Sequence, residues 1–377
     1  MLRPTLRQLV SAAGVAGAAA ALALPAGAAR PSDERQLQRS LDRLVASGVP
    51  GAVLLVRRGN RTVRLTSGYG DLRQKTPMRP GDLFRVGSIT KAFVATVVLQ
   101  LVAEQKLALD DTVERWLPGL LQDGRRITLR QLLGHRSGLF DYGGDDKFLA
   151  AAFGNPARRW APRELVAIAS AHRPYFPPGA GWAYSNTNYV VVGLIVEAAT
   201  HRPLAGELAR RIFVPSGLRA TRFDDAYRMA GPHAHGYFLA PLLDVSDGRP
   251  SYVWAAGALV SNADDLARFF RALLGGRLVR ADLLKAMETP VGRTSEFAYG
   301  LGLEKMPGPC GVLWGHTGGS PGYVADALNS KDGRRQVVVL VNATASLSRS
   351  TKHFRSFALP GRALPAYDRL VRAAYCG

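Results

Sequence analysis

The stretch "FRVGSITKAFVA" (84–95) sets a serine, Ser88, three residues before a lysine, Lys91, where a long apolar run begins. A helix turns about 100° per residue, so the two side chains stand on one side, a turn apart. Thr96, Gln100 and Glu104 fall opposite as a polar stripe, which aims Lys91 at the interior. An ammonium there costs several kcal/mol unless it is paired, or it loses its proton and becomes a base. Ser88 sits at the expected helix start, where free N–H groups favour developing negative charge. A serine beside a desolvated amine is an activated nucleophile. Taken alone, S-x-x-K also describes a capping serine and a lysine reaching out to water.

Two further stretches add to the pair. "WAYSNTNY" places Tyr184, Ser185 and Asn186 just before an apolar helix, and "LWGHTGGSPGY" places His316, Thr317 and Gly318 in a β context. S-x-x-K, Y-x-N and H-T-G in that order form the motif set of penicillin-recognising serine hydrolases. The chain resembles the class C β-lactamase and D-alanyl-D-alanine carboxypeptidase family, and among its members the secreted, penicillin-sensitive carboxypeptidases. The resemblance runs from about residue 33 to the end and includes "ITLRQLLGHRSGL", "PPGAGWAYSN", "AGALVSNADDLARFF", "YGLGLE" and "YVADALNSKDGRRQVVVLVN". It implies an α+β fold of the β-lactamase/transpeptidase type: an antiparallel sheet flanked by helices, an all-helical lobe, and a site between them.

The roles that the resemblance implies follow motif by motif. Ser88 is the acylated nucleophile, and Lys91 and Tyr184 share proton transfer, with the base undecided between them. Asn186 binds the substrate amide, and His316 holds a donor near the Tyr184 oxygen. Thr317, Gly318 and Gly319 line the substrate strand, and the N–H groups of Ser88 and Gly319 form the oxyanion hole. Trp254 walls the cleft. The implied substrate is a peptidoglycan stem peptide or another small acyl compound, with β-lactams as covalent inhibitors. No cofactor or metal is implied, and the expected state is a monomer.

Two positions depart from the carboxypeptidase pattern. The hydroxyl that follows H-T-G and the arginine after Y-G-x-G-L, which hold a terminal carboxylate, are Gly319 and Glu304 here. Arg293 is a possible substitute cation. The expected function is still that of a secreted serine hydrolase with an acyl-enzyme mechanism, a D-alanyl-D-alanine carboxypeptidase; esterase, D-amino-acid amidase or weak class C β-lactamase activity, or a non-catalytic penicillin- or wall-binding role, are the alternatives. "GGSPG" (318–322) also fits a G-x-S-x-G nucleophile elbow, which needs a strand before the serine and a helix after it. His135 is expected to order a loop, and His233 with His235 lacks an evident third metal ligand.

These side chains need elements to position them. "GAVLLVRRG" and "RTVRLTSGYG", joined around Gly59-Asn60, predict a hairpin. "GVLWGHTGG", "GYVADALNS" and "RRQVVVLVNATA" predict further strands near the end of the chain, with a turn at Lys331-Asp332-Gly333. "SNADDLARFFRALLGG" predicts a helix capped by Ser261 or Asn262 and ended by Gly275-Gly276. Strands at both ends and helices between them place the sheet lobe at 33–109 and 230–377 and the helical lobe at 110–229, within one hydrolase domain over 29–377.

Residues 1–28 read as a signal peptide. Arg3 and Arg7 precede an apolar run to Leu24, then Pro25 and Ala26-Gly27-Ala28. The expectation is an exported protein, secreted, periplasmic or wall-associated. Of 49 basic residues, eight are Lys, and the formal net charge is +20. The arginines are scattered without aromatic interleaving, which argues against a nucleic-acid binder. Cys310 and Cys376 suit one disulfide in an exported chain or two free thiols; the resemblance favours the disulfide.

Overall fold

The computed structural model describes residues 31–345 and 359–377, so the expected signal peptide lies outside the described residues. Its centre is a nine-stranded antiparallel sheet. In chain order the strands are β1 (Gly51–Arg58), β2 (Arg61–Asp71), β3 (Thr76–Pro77), β4 (Gly292–Arg293), β5 (Ala298–Tyr299), β6 (Glu304–Gly308), β7 (Gly311–Ser320), β8 (Tyr323–Asn329) and β9 (Arg335–Val341). The spatial order is β3-β2-β1-β9-β8-β7-β6-β5-β4. Pairing of β1 with β9, Ala52 opposite Val341 through Arg58 opposite Arg335, closes the two ends of the chain into one sheet. Both expected turns are present, at Gly59-Asn60 and around Asp332-Gly333.

Side chains alternate across a strand, and β1 shows what that does to the layers. Val53 and Leu55 face one core, while Ala52, Leu54 and Val56 face another. The second core is roofed by helices α1 (Pro31–Ala46) and α5 (Leu364–Cys376), through Leu37, Leu41, Leu44 and Leu370. The first core is larger. It holds α2 (Ile89–Ala103) and α4 (Ala263–Leu274) and runs on into the helical lobe through α3 (Asn186–Thr200). Both lobes thus share one hydrophobic cluster. Asn262 caps α4 by accepting from the Asp265 N–H, and Gly275 ends the helix.

The helix of the opening stretch is more deeply set than its pattern predicts. Twelve of the fifteen residues of α2 are buried, including Thr96, whose hydroxyl donates to the Ala92 carbonyl. The polar stripe shrinks to Gln100, bonded to the Leu278 carbonyl, and Glu104, paired with Arg211. A helix buried on nearly all sides shows little amphipathic period, so the spacing of a few polar residues overstated its exposed face.

Candidate active site

The turn that carries Ser88 is built between the two lobes. Phe84–Arg85 pairs with Leu259–Ser261, and the chain then turns at Gly87 before α2 starts. Gly87 has φ +50°, and a Cβ there would lie 2.3 Å from the Gly319 carbonyl oxygen and 2.9 Å from its nitrogen. Only glycine allows the turn to approach β7 this closely. The backbones of Ser88 and Gly319 therefore adjoin, as an oxyanion hole made of their N–H groups requires. Ser88 occupies the N-cap position of α2, yet its side chain makes no capping bond, which leaves the hydroxyl for chemistry.

Lys91 is fully buried. Its Nζ lies 2.9 Å from Ser88 Oγ, 2.8 Å from Asn186 Oδ1 and 2.8 Å from the Ala256 carbonyl. Burial lowers its pKa to about 7, against the opposing pull of Asp141 and Glu304. At 1.36 kcal/mol per pKa unit, this is roughly 5 kcal/mol against the charged form. Near neutral pH a large share of the amine is unprotonated and in contact with the serine hydroxyl.

Tyr184 lies beside this pair. Its buried hydroxyl faces Ser88, and burial holds its pKa well above the ordinary phenol range, so it stays protonated at rest. Lys91 Nζ is 4.8 Å from the centre of its ring. The ring packs on the His135 imidazole, with centroids 4.1 Å apart. His135 Nδ1 accepts from the Ser185 N–H at 3.2 Å and lies 3.0 Å from the Asn188 side-chain nitrogen. These contacts assign its proton to Nε2, and burial holds the ring neutral. His135 thus orders the Tyr184-Ser185 segment from beneath and is not placed as a base on Ser88.

The third motif is arranged differently from the sequence expectation. His316 is buried; its Nδ1 lies 2.6 Å from its neighbour's carbonyl, Thr317 O, and its Nε2 lies 3.1 Å from the Tyr299 hydroxyl. Its closest polar partners are therefore Tyr299 and Thr317 rather than Tyr184. Burial lowers its pKa to about 3, so it is a neutral imidazole. Glu304, also buried, accepts from the Thr317 N–H at 2.9 Å and the Thr317 hydroxyl at 3.2 Å. The Thr317 hydroxyl is thus spent on the sheet. Burial raises Glu304 to about 8. Gly318 continues β7 behind the nucleophile turn, where a Cβ would lie 2.1 Å from the Val86 carbonyl.

Trp254 is half-buried, on the segment that also carries Ala256. Its ring edge packs on Gly193 of α3, where a Cβ would lie 2.7 Å from it. Seven residues, about 10 Å of helix rise, separate Gly193 from Asn186. The segment reaches the site through the Ala256 carbonyl. Arg293 is exposed on β4 and offers no buried cation. Ser320 ends β7 at a hairpin turn into β8, with no helix after it, so the nucleophile-elbow reading fails. His235 bonds Asp244, and the described residues hold no group of three metal ligands. Cys310 and Cys376 form a disulfide. Sequence reasoning missed Asp141, Ala256 and Tyr299 as parts of the site. Asp141 stood within "GLFDY" without a motif of its own, and a backbone carbonyl leaves no trace in residue type.

Comparison with known proteins bears on the family and the fold. The family model described as Beta-lactamase matches residues 37–358. A D-stereospecific amidohydrolase from Streptomyces sp. shares 38% identity and a TM-score of 0.80, covering 91% of this chain and 99% of that one. The D-amino acid amidase of Ochrobactrum anthropi SV3 shares 31% identity and a TM-score of 0.78, covering 91% and 98%. Penicillin-binding protein 4* of Bacillus subtilis is 29% identical over 324 residues, 78% of this chain and 68% of its own length.

Proposed function

The chain belongs to the Beta-lactamase family, and on that premise we propose a serine hydrolase that cleaves amides of D-configured residues through an acyl-enzyme. The observation that carries the mechanism is the buried Lys91 amine, 2.9 Å from Ser88 Oγ, with a pKa of about 7. The neutral amine takes the Ser88 hydroxyl proton while Oγ bonds to the substrate carbonyl carbon. The Ser88 and Gly319 N–H groups receive the oxyanion. Tyr184, protonated at rest, passes its proton to the leaving amine as it takes from Lys91 the proton that came from Ser88. Water then cleaves the ester bond to Ser88 by the same path in reverse. This division makes Lys91 the base and Tyr184 the proton conduit.

The substrate reading rests on Glu304 and on the likeness to D-specific amidohydrolases. Where a carboxypeptidase holds a terminal carboxylate with arginine, this chain buries a carboxyl group, and His316 beside it is neutral. An amide without a free carboxylate suits that end of the cleft better. The three intact motifs, and the likeness to a penicillin-binding protein, favour D-Ala-D-Ala carboxypeptidase activity as the second reading. We also propose export, from the basic and apolar pattern of residues 1–28.

The test compares release of ammonia from D-phenylalanine amide with release of D-Ala from a diacyl-D-Ala-D-Ala peptide, beside labelling by a fluorescent penicillin. Amide turnover exceeding peptide turnover is expected, with Ser88→Ala lowering kcat by on the order of 10³-fold or more and abolishing labelling. Peptide turnover in excess would establish the second reading. Wild-type rates in Ser88→Ala would remove the nucleophile assignment.

A further inference from the structure

Asn186 holds the Lys91 amine, and something must hold Asn186. Its side-chain amide can sit in two orientations that differ only by exchanging oxygen and nitrogen. Asp141 lies behind it. Asp141 Oδ1 accepts from the Asn186 backbone N–H at 3.1 Å and the Gly143 N–H at 3.2 Å, and Oδ2 accepts from Asn186 Nδ2 at 3.2 Å. An ionised carboxylate only accepts, so it draws the NH₂ end toward itself and turns Oδ1 to Lys91.

The consequence appears in the donor count at Lys91. A neutral amine has two N–H groups and one lone pair. Asn186 Oδ1 and the Ala256 carbonyl are both acceptors, each 2.8 Å from Nζ, and they take the two N–H groups. The lone pair is left for the third neighbour, the Ser88 hydroxyl. An Asn186 turned the other way would offer N–H groups to the same lone pair and compete with the serine.

We propose that Asp141 is a positioning residue that, through the Asn186 amide, directs the Lys91 lone pair onto Ser88. This rests on the reading of Lys91 as the base. Asp141 also accepts the Gly143 N–H as the cap of the short 3₁₀ turn Tyr142–Gly144, so a purely structural role is the competing explanation. The groups facing Lys91 are Asp141 and Glu304, the neutral imidazoles of His135 and His316, and the phenols of Tyr184 and Tyr189. Of these, Asp141 is a carboxylate bonded to the Asn186 amide.

The experiment is a double-variant cycle on the full chain, followed with p-nitrophenyl acetate and with D-phenylalanine amide. Asp141→Asn keeps a good cap for the turn but can offer its own NH₂ to Asn186. It is expected to lower kcat about 10- to 100-fold, part of a general-base contribution, with KM little changed. The acid limb of kcat/KM should move to lower pH, because a negative charge near Lys91 is gone. In an Asn186→Ala background the same change should have less than about twofold further effect, since Asp141 acts through that amide. Asp141→Ser, which caps but cannot reach Asn186, should behave like Asp141→Asn. Equal losses in both backgrounds, or an unmoved acid limb with a lowered melting temperature, would overturn the proposal. Retained activity in Ser88→Ala would instead overturn the reading beneath it.

Discussion

At the scale of single residues the site is a set of neutral groups held close together. Lys91, Tyr184, His135 and His316 are all kept from charging by burial, or in part so for Lys91. The pH dependence follows with a definite sign. If the free amine of Lys91 is the base, as proposed, kcat/KM should rise as pH increases through about 7 and fall away below it. A steady-state pH profile checks this; a flat profile between pH 6 and pH 8 in the order of the measurement error (roughly two pH units bracketing an expected pKa) would separate the base from Lys91. Lys91→Arg keeps a cation and removes the base, since guanidinium does not deprotonate in this range. Acylation by a fluorescent penicillin should slow by roughly 10²–10⁴-fold. Near-normal acylation would reduce Lys91 to an electrostatic partner.

At the scale of elements, the approach of the nucleophile turn to β7 is the critical contact. Gly87→Ala would force a Cβ to within 2.3 Å of the Gly319 carbonyl at a positive φ. The expected result is a loss of activity larger than the loss of stability, because the displaced strand carries Gly319, half of the proposed oxyanion hole. Thermal melting beside kcat measures both; an unchanged kcat would show that the approach is slack. This contact also shows what the sequence could reveal. Ser88, Lys91, Tyr184, Asn186 and His316 were legible because each belongs to a short motif on one element, and α4 because its period and caps are local. Ala256, Asp141 and the partners of His316 were not. They reach the site across 165, 45 and 17 residues of chain, and such contacts are set by packing. Glu304 was seen as a missing arginine, but its two bonds to Thr317 needed the register of β6 against β7.

At the scale of the whole molecule, one hydrophobic cluster joins the lobes and a second joins the sheet to α1 and α5. The disulfide fastens that second layer, linking the β6–β7 turn at Cys310 to the end of α5 at Cys376, 66 residues on. Closing a loop of this length stabilises by about 4 kcal/mol in the chain-entropy description. Cys310→Ser with Cys376→Ser should lower unfolding stability by up to that amount, read from denaturant curves, while kcat stays close to wild type. A large fall in kcat at a temperature where the variant is folded would mean that the bond holds β7 in register for catalysis.

Helices α1 and α5 pack together on the face of the sheet that looks away from α2 and Ser88. A tether fixed to α5, whether to a resin, a cell surface or a second protein, would therefore hold the molecule by its back. Immobilised that way, the enzyme would present its cleft outward, and its turnover per molecule should match that in solution.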